Sequence, residues 1–266
     1  MSLNRVLLYT AAFTGAALIS AFRMDEGTMR LMGMKTSTDR TVISYHENKS
    51  VSSLLTMHNS SDGVYTTTRI PVYENGRLVK MFITDEESTS EPRLFSSFDY
   101  SDKQEIIRIS YYLGNAVHAY DSLVYNSEGR IVERYYFDRT RSKAPFTNNS
   151  FQRYNWDRNG NIVSVDNMGR PDPKLPFTHG STTVYQYDGH PNIQRSIPLL
   201  AYLVDVAAIN LSANNIVSET IQPANGGRAI VNRYKYAYKD KKYPSHVTAT
   251  FSGNEGSVIT ELEWSE

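Results

Sequence analysis

Cysteine is absent from the 266 residues. That excludes disulfides, thiolate nucleophiles and cysteine zinc sites, so stability rests on packing and strand pairing. Excess charge is absent too, with 28 Lys+Arg balancing 28 Asp+Glu. No basic stripe is offered to phosphates and no polybasic run to anionic lipid, so nucleic acid is not expected as a partner. Histidines at metal-binding spacing are also missing. His46, His58, His118, His179, His190 and His246 form no H-x-H or H-E-x-x-H pair. His179-Gly180-Ser181-Thr182 lacks the G-x-S-x-G frame of a nucleophile elbow. Asp157-Arg158-Asn159-Gly160-Asn161 carries the donors of a calcium loop. Its glycine is fourth and Met168 stands twelfth, where an EF-hand needs glycine sixth and glutamate twelfth, so a turn is expected. A glycosidase needs two carboxylates about 5–10 Å apart. Asp138, Asp157 and Asp188 are available, but the last two fall in expected hairpin turns. No catalytic, cofactor-binding or metal site is therefore predicted.

Met1-Ser2-Leu3-Asn4-Arg5 is a short, singly positive start, residues 6–22 are apolar apart from Thr10, Thr14 and Ser20, and Arg23, Asp25 and Glu26 end the run. This is the n-region and h-region of a secretory signal, predicted to occupy residues 1–22. The run is a little short for an anchor helix, which needs about 20 apolar residues. Ile19-Ser20-Ala21 would make a bacterial lipobox if a cysteine followed, but position 22 is Phe22. Without a thiol no thioether to lipid forms. The expectation is a periplasmic, secreted or outer-membrane-associated protein that touches membrane only if the N-terminal segment stays uncleaved.

What is abundant is tyrosine, 19 residues within a 12% aromatic content. Tyrosine suits a pleated, half-buried surface with its hydroxyl at a wet edge, which points to β structure. Residues 23–60, with Met24, Met29, Met32 and Met34, read as a linker and an irregular start. From about Val64 the chain alternates in short β-branched runs split by turn signals. Asn75-Gly76 between two such runs is the strongest short hairpin signal, because both positions tolerate positive φ. Tyr125-Asn126-Ser127-Glu128-Gly129-Arg130-Ile131 and Trp156-Asp157-Arg158-Asn159-Gly160-Asn161-Ile162 share one frame. The aromatic ends a strand, Asn or Asp bonds the turn backbone, glycine reverses the chain and isoleucine restarts the alternation. Tyr185-Gln186-Tyr187-Asp188-Gly189 and Tyr234-Lys235-Tyr236-Ala237-Tyr238 open further units with strict tyrosine alternation, which puts those rings on one strand face. The hairpin turns are thus placed at Asn75, Gly76, Gly129, Asp157, Gly160, Asp188 and Gly189.

The repeated frame resembles the YD repeat of Rhs-type proteins. The ordered set Tyr185–Asn192, Leu211-Ser212-Ala213-Asn214-Asn215-Ile216, Tyr234–Tyr238 and Tyr243-Pro244-Ser245-His246-Val247 is similar to a family of exported lipoproteins of Bacteroidota. The resemblance covers about residues 60–265. It implies an antiparallel β-meander and an envelope location, and it carries no activity. The sequence departs from the pattern at Phe22 and at Lys241-Lys242, where a turn glycine is missing.

Residues 197–209 break the strand rhythm. Pro198 reads as the start of a short helix around 199–209, with Leu200, Leu203, Val204 and Ala207 or Ala208 on one face, laid over the sheet. The Pro/Gly-rich run 166–173 reads as a plain connection. The expected fold is all-β: one elongated, twisted antiparallel meander over 61–266 with that single helix.

The expected function is a non-enzymatic binding protein of the envelope. It would contact glycan or protein through a face formed by Tyr185, Tyr187, Tyr234, Tyr236 and Tyr238, since flat aromatics stack on sugars and on partner surfaces. The same rings can instead hold the sheet together by cross-strand pairing. The alternatives are a structural envelope module that associates through open strand edges and a carbohydrate-active enzyme.

Overall fold

A computed structural model describes residues 29–85, 91–139, 141, 144–239, 243–253 and 256–265. The segment read as an export signal lies outside these residues. Sixteen antiparallel strands follow one another. They are β1 (Leu31–Lys35), β2 (Asp39–Tyr45), β3 (Val51–Ser60), β4 (Gly63–Glu74), β5 (Arg77–Asp85), β6 (Arg93–Tyr100), β7 (Ile106–Leu113) and β8 (Ala116–Tyr125). The second half holds β9 (Ile131–Asp138), β10 (Thr147–Trp156), β11 (Ile162–Gly169), β12 (Thr178–Pro191), β13 (Asn214–Pro223), β14 (Ile230–Tyr238), β15 (Pro244–Thr250) and β16 (Ser257–Trp264). Each strand pairs with its sequence neighbours, as a meander requires, and β1 then pairs with β16, so the sheet closes into a barrel.

The expected meander is therefore present, but it is closed rather than elongated. Closure depends on residues read as linker: β1, β2 and β3 occupy most of 31–60. The local signal there is weak because β1 is Leu-Met-Gly-Met-Lys. Its partner β16 supplies the pairing from the far end of the chain. At Gly33 a Cβ would lie 2.7 Å from Glu263 Oε2 and 3.0 Å from the Thr41 carbonyl, so glycine lets three strands approach at the seam.

Alternation decides which side chains enter the barrel. The inward set from every second strand position forms the apolar core, with Leu31, Ile43, Leu54, Leu78, Ile109, Leu123, Ile162 and Ile216 nearly inaccessible. Further along the same inner faces the side chains turn polar: Arg69, Asp121, Arg134, Gln152, Asn167, Glu219 and Asn232. The outer faces carry charge beside exposed apolar residues such as Val124, Val163 and Val184. Arg153 pairs with Glu133 at 3.1 Å, Arg40 with Glu263 at 3.3 Å, and Arg233 and Lys235 flank the inward Tyr234.

One interaction recurs at the same end of the barrel. Each even-numbered strand carries an inward aromatic near its end, and in seven of the eight its polar atom donates to a carbonyl at or near the start of the preceding strand. Tyr45 bonds Leu31 O at 2.8 Å, Tyr100 bonds Leu78 O at 3.0 Å, and Tyr125 bonds Ile106 O at 2.7 Å. The indole of Trp156 bonds Ile131 O at 2.7 Å and that of Trp264 bonds Pro244 O at 2.7 Å. Tyr187 and Tyr236 reach Ile162 O and Ile216 O. Tyr73 holds the eighth position, but its buried hydroxyl has no partner. This is the physical content of the aromatic-Asx-x-x-Gly frame. The ring fills the inside of the hairpin while its donor ties two strands together.

The link between β12 and β13 folds inward as a plug. The single helix expected there is instead a 3-10 turn at Gln194–Ser196 and two one-turn helices, α1 (Leu200–Leu203) and α2 (Ala208–Leu211). Leu199 breaks the helical run with φ of 60°. Leu200, Leu203 and Val206 join the core, so the segment packs against the inner wall rather than over a sheet face. A latch fixes it. Arg134 pairs with Asp121 on the wall at 2.8 Å and with Asp205 on the plug at 2.7 Å. Tyr111 donates to Asp121 at 2.6 Å, and Tyr154 donates to Val206 O at 2.8 Å. Burial disfavours the Arg134 charge, but the Asp121 and Asp205 carboxylates together outweigh it and raise the guanidinium's pKa.

Three outcomes follow for this scaffold. Tyr73→Phe should leave stability within about 0.5 kcal/mol of wild type in urea melts, while Tyr100→Phe should lose about 1 kcal/mol, because only the second removes a made bond. Equal losses would remove the distinction. Arg134→Ala leaves the fully buried Asp121 without its cation and should cost about 3–5 kcal/mol. Asp205→Ala removes a side chain that is 53% exposed and should cost under about 1 kcal/mol; a reversed order would refute the latch. Finally, burial pushes Tyr45, Tyr73 and Tyr187 up to about 12. In the unfolded chain tyrosine ionises near about 10. The fold holds the proton more tightly, so stability should be flat below pH 10 and fall as pH rises toward 12. Absorbance at about 295 nm, followed beside circular dichroism, checks this through the phenolate signal; phenolate formation near pH 10 in an intact fold would contradict it.

Candidate functional site

Of the five tyrosines expected on an open face, Tyr185, Tyr187, Tyr234 and Tyr236 point into the barrel, while Tyr238 stacks on the His190 ring. Tyr185 and Tyr187 share the inner register with Glu219 and Ile216, and Tyr234 and Tyr236 pack on the core. Their hydroxyls have protein partners: Tyr234 donates to Glu219 at 3.0 Å, and Tyr238 sits 3.3 Å from Asp188. Burial first, and then the Glu219 carboxylate, raises the pKa of both Tyr185 and Tyr234. Closure explains the difference. In an open sheet either face can meet solvent, whereas a closed one turns its aromatic face onto the core.

The expected turns divide in two. Asn75 and Gly76 both take positive φ, 52° and 77°, as a tight hairpin requires. Gly129 and Gly160 also adopt positive φ, and Asp157 Oδ1 accepts the N–H groups of Asn159 and Asn161, so this loop is the expected turn. Asp188 and Gly189 are not a turn. They lie within β12, because the plug occupies the place of a short return. The Asp188 carboxylate instead accepts from Asn215 and Tyr238 at 3.3 Å each, beneath a His190 ring stacked on Tyr238. Among the described residues no group of three or more His, Asp or Glu is placed to hold a metal.

A pocket of about 420 Å³ opens between the plug and the two aromatic-Asx-x-x-Gly turns. The β8–β9 turn contributes Gly129 and Arg130, the β10–β11 turn Arg158, Asn159 and Gly160, and the plug Arg195, Leu199, Leu200 and Asn210. Tyr125, Trp156 and Tyr202 form aromatic wall, with the Tyr125 and Tyr202 hydroxyls 3.1 Å apart. Arg130 lies 5.6 Å from the Trp156 ring centre, donates to Asp157 O at 2.9 Å and pairs with the exposed Glu128 at 3.2 Å. Arg158 and Arg195 are exposed and have no ion pair among the described residues. In the sequence Arg158 is simply a turn residue, and nothing there singles out Arg195. The two are 37 positions apart in the chain, and only the inward fold of the plug brings them to one rim.

No family model matches the chain, and no curated protein matches it. Among solved structures, a porin-like protein from Bacteroides uniformis covers 88% of this chain and 96% of its own at 11% identity, with a TM-score of 0.56. A porin-like protein from Bacteroides vulgatus covers 90% of this chain and 99% of its own at 10% identity, with a TM-score of 0.44. TcdB2-TccC3 without its hypervariable C-terminal region covers 84% of this chain at 13% identity, a TM-score of 0.32 and 12% of its own length. The chain shares its closed antiparallel barrel fold with the Bacteroides uniformis protein.

Proposed function

We propose that this protein is a non-enzymatic binding protein of the cell envelope that works in water and recognises glycan or protein at the pocketed end of its barrel. The pocket carries the reading. Its volume of about 420 Å³ falls among ordinary small-molecule sites of about 300–1,000 Å³. Its walls combine aromatic and aliphatic surface with a few polar groups, which is the usual make-up of such sites. The charged pairs on the outer wall, Arg153 with Glu133 and Arg40 with Glu263, support a barrel bathed by solvent. The N-terminal pattern supports export, to the periplasm or beyond.

Closure argues against assembly through open edges, because β1 and β16 already pair with each other. The inward tyrosines likewise argue against a flat aromatic platform. Recognition through the turns and the plug accounts for both.

Asn159→Trp tests the reading. Asn159 is an exposed turn residue on the pocket rim, so a large ring there fills the mouth without disturbing the core. On an array of bacterial and host glycans, and in pull-downs from envelope extract, wild type should give selective partners. The variant should lose them at an unchanged melting temperature. Partners retained by the variant would move recognition away from the pocket.

A further inference from the structure

Charge distinguishes the pocket from the rest of the molecule. The whole chain is neutral, yet three arginines and no aspartate or glutamate line this cavity among the described residues. Arg130 is engaged, by the Asp157 carbonyl and by Glu128 outside the lining. Arg158 and Arg195 are not. They reach the cavity from different elements, one from the β10–β11 turn and one from the plug. Guanidiniums without an ion pair on one cavity lining are stabilised when an anion enters, and their planar forks suit carboxylate or phosphate oxygens.

A second observation lies in the same wall. Leu199 holds a left-handed backbone, φ 60° and ψ 14°, immediately before α1. A branched residue rarely adopts it, and such strain persists only where the surroundings enforce it. Here the strained residue lines the cavity, and it separates the stretch carrying Arg195 from α1, which supplies Tyr202. The backbone is bent where the plug forms the pocket.

Resting on the pocket reading above, we propose that the ligand is a small organic anion, a carboxylate or a phosphate on a compact ring body. Arg158 and Arg195 clasp the charged group. The Trp156, Leu199 and Leu200 surfaces take the ring, and the Asn159 and Asn210 amides take its hydroxyls. For the envelope this chemistry is that of an acidic or phosphorylated sugar.

Isothermal titration of the purified protein with four probes tests this: glucuronate, glucose 1-phosphate, glucose and glucosamine. At least one anionic probe should bind, with glucose and glucosamine at least about tenfold weaker, and the affinity should fall as salt is raised. Preference between the two anions separates carboxylate from phosphate. Arg158→Ala/Arg195→Ala should weaken anion binding by about a hundredfold, roughly tenfold for each charge-assisted hydrogen bond removed. Its melting temperature should stay unchanged, since both side chains are exposed and neither forms an ion pair among the described residues. Arg158→Lys/Arg195→Lys keeps the charge without the fork and should fall between the two. Binding of neither anion, equal binding of glucose, or full anion affinity in the double alanine variant overturns the anionic class. A neutral sugar that is lost in Asn159→Trp but kept in the arginine variant would leave the pocket reading standing and remove only this inference.

Discussion

A donor on the edge of an aromatic ring, bonded to a carbonyl near the start of the neighbouring strand, is the interaction on which the barrel depends. It is made seven times around one end, by Tyr45, Tyr100, Tyr125, Trp156, Tyr187, Tyr236 and Trp264. Each ring buries apolar area where a hairpin would otherwise be thin, and each donor satisfies a buried carbonyl. Without cysteine the chain has no covalent tie, so these non-covalent ties and the ladder carry the closure. The ring of aliphatic residues near the start of the odd-numbered strands, from Leu31 to Pro244, completes that end.

A sixteen-stranded sheet encloses more space than its own side chains fill, since barrel diameter grows with strand number. The plug answers that geometry. It brings Leu200, Leu203 and Val206 into the interior and uses one half-buried arginine to hold the link in place. The two demands meet in Arg134, which satisfies the wall through Asp121 and the insert through Asp205. Because the plug enters from the aromatic end, its outer surface and the repeated turns form one rim, and the pocket lies between them.

Much of this architecture was legible in the residues. Asn75-Gly76 and the two seven-residue frames at 125–131 and 156–162 located real turns, because their signals are local and steric. Strand alternation was legible for the same reason. Closure was not, since the pairing of Leu31 with Trp264 depends on residues 233 apart and on a strand with little β-propensity. The inward sense of the tyrosines follows only from closure. Asp188-Gly189 looks like a turn by composition, yet its strand continues because the plug supplies the return. Arg158 and Arg195 share a rim through tertiary folding alone, and no spacing in the chain announces it.

The seam between the first and last strands also orders events during synthesis. The Arg30 carbonyl accepts from the Ser265 N–H at 2.8 Å, so the two extremities of the described chain are neighbours in space. A nascent chain therefore carries β1 with one unpaired edge until β16 has left the ribosome. Every hairpin in between can form locally, but the seam must wait for a loop of more than two hundred residues to close. Throughout that interval one edge of the β1 ladder stays without its strand partner.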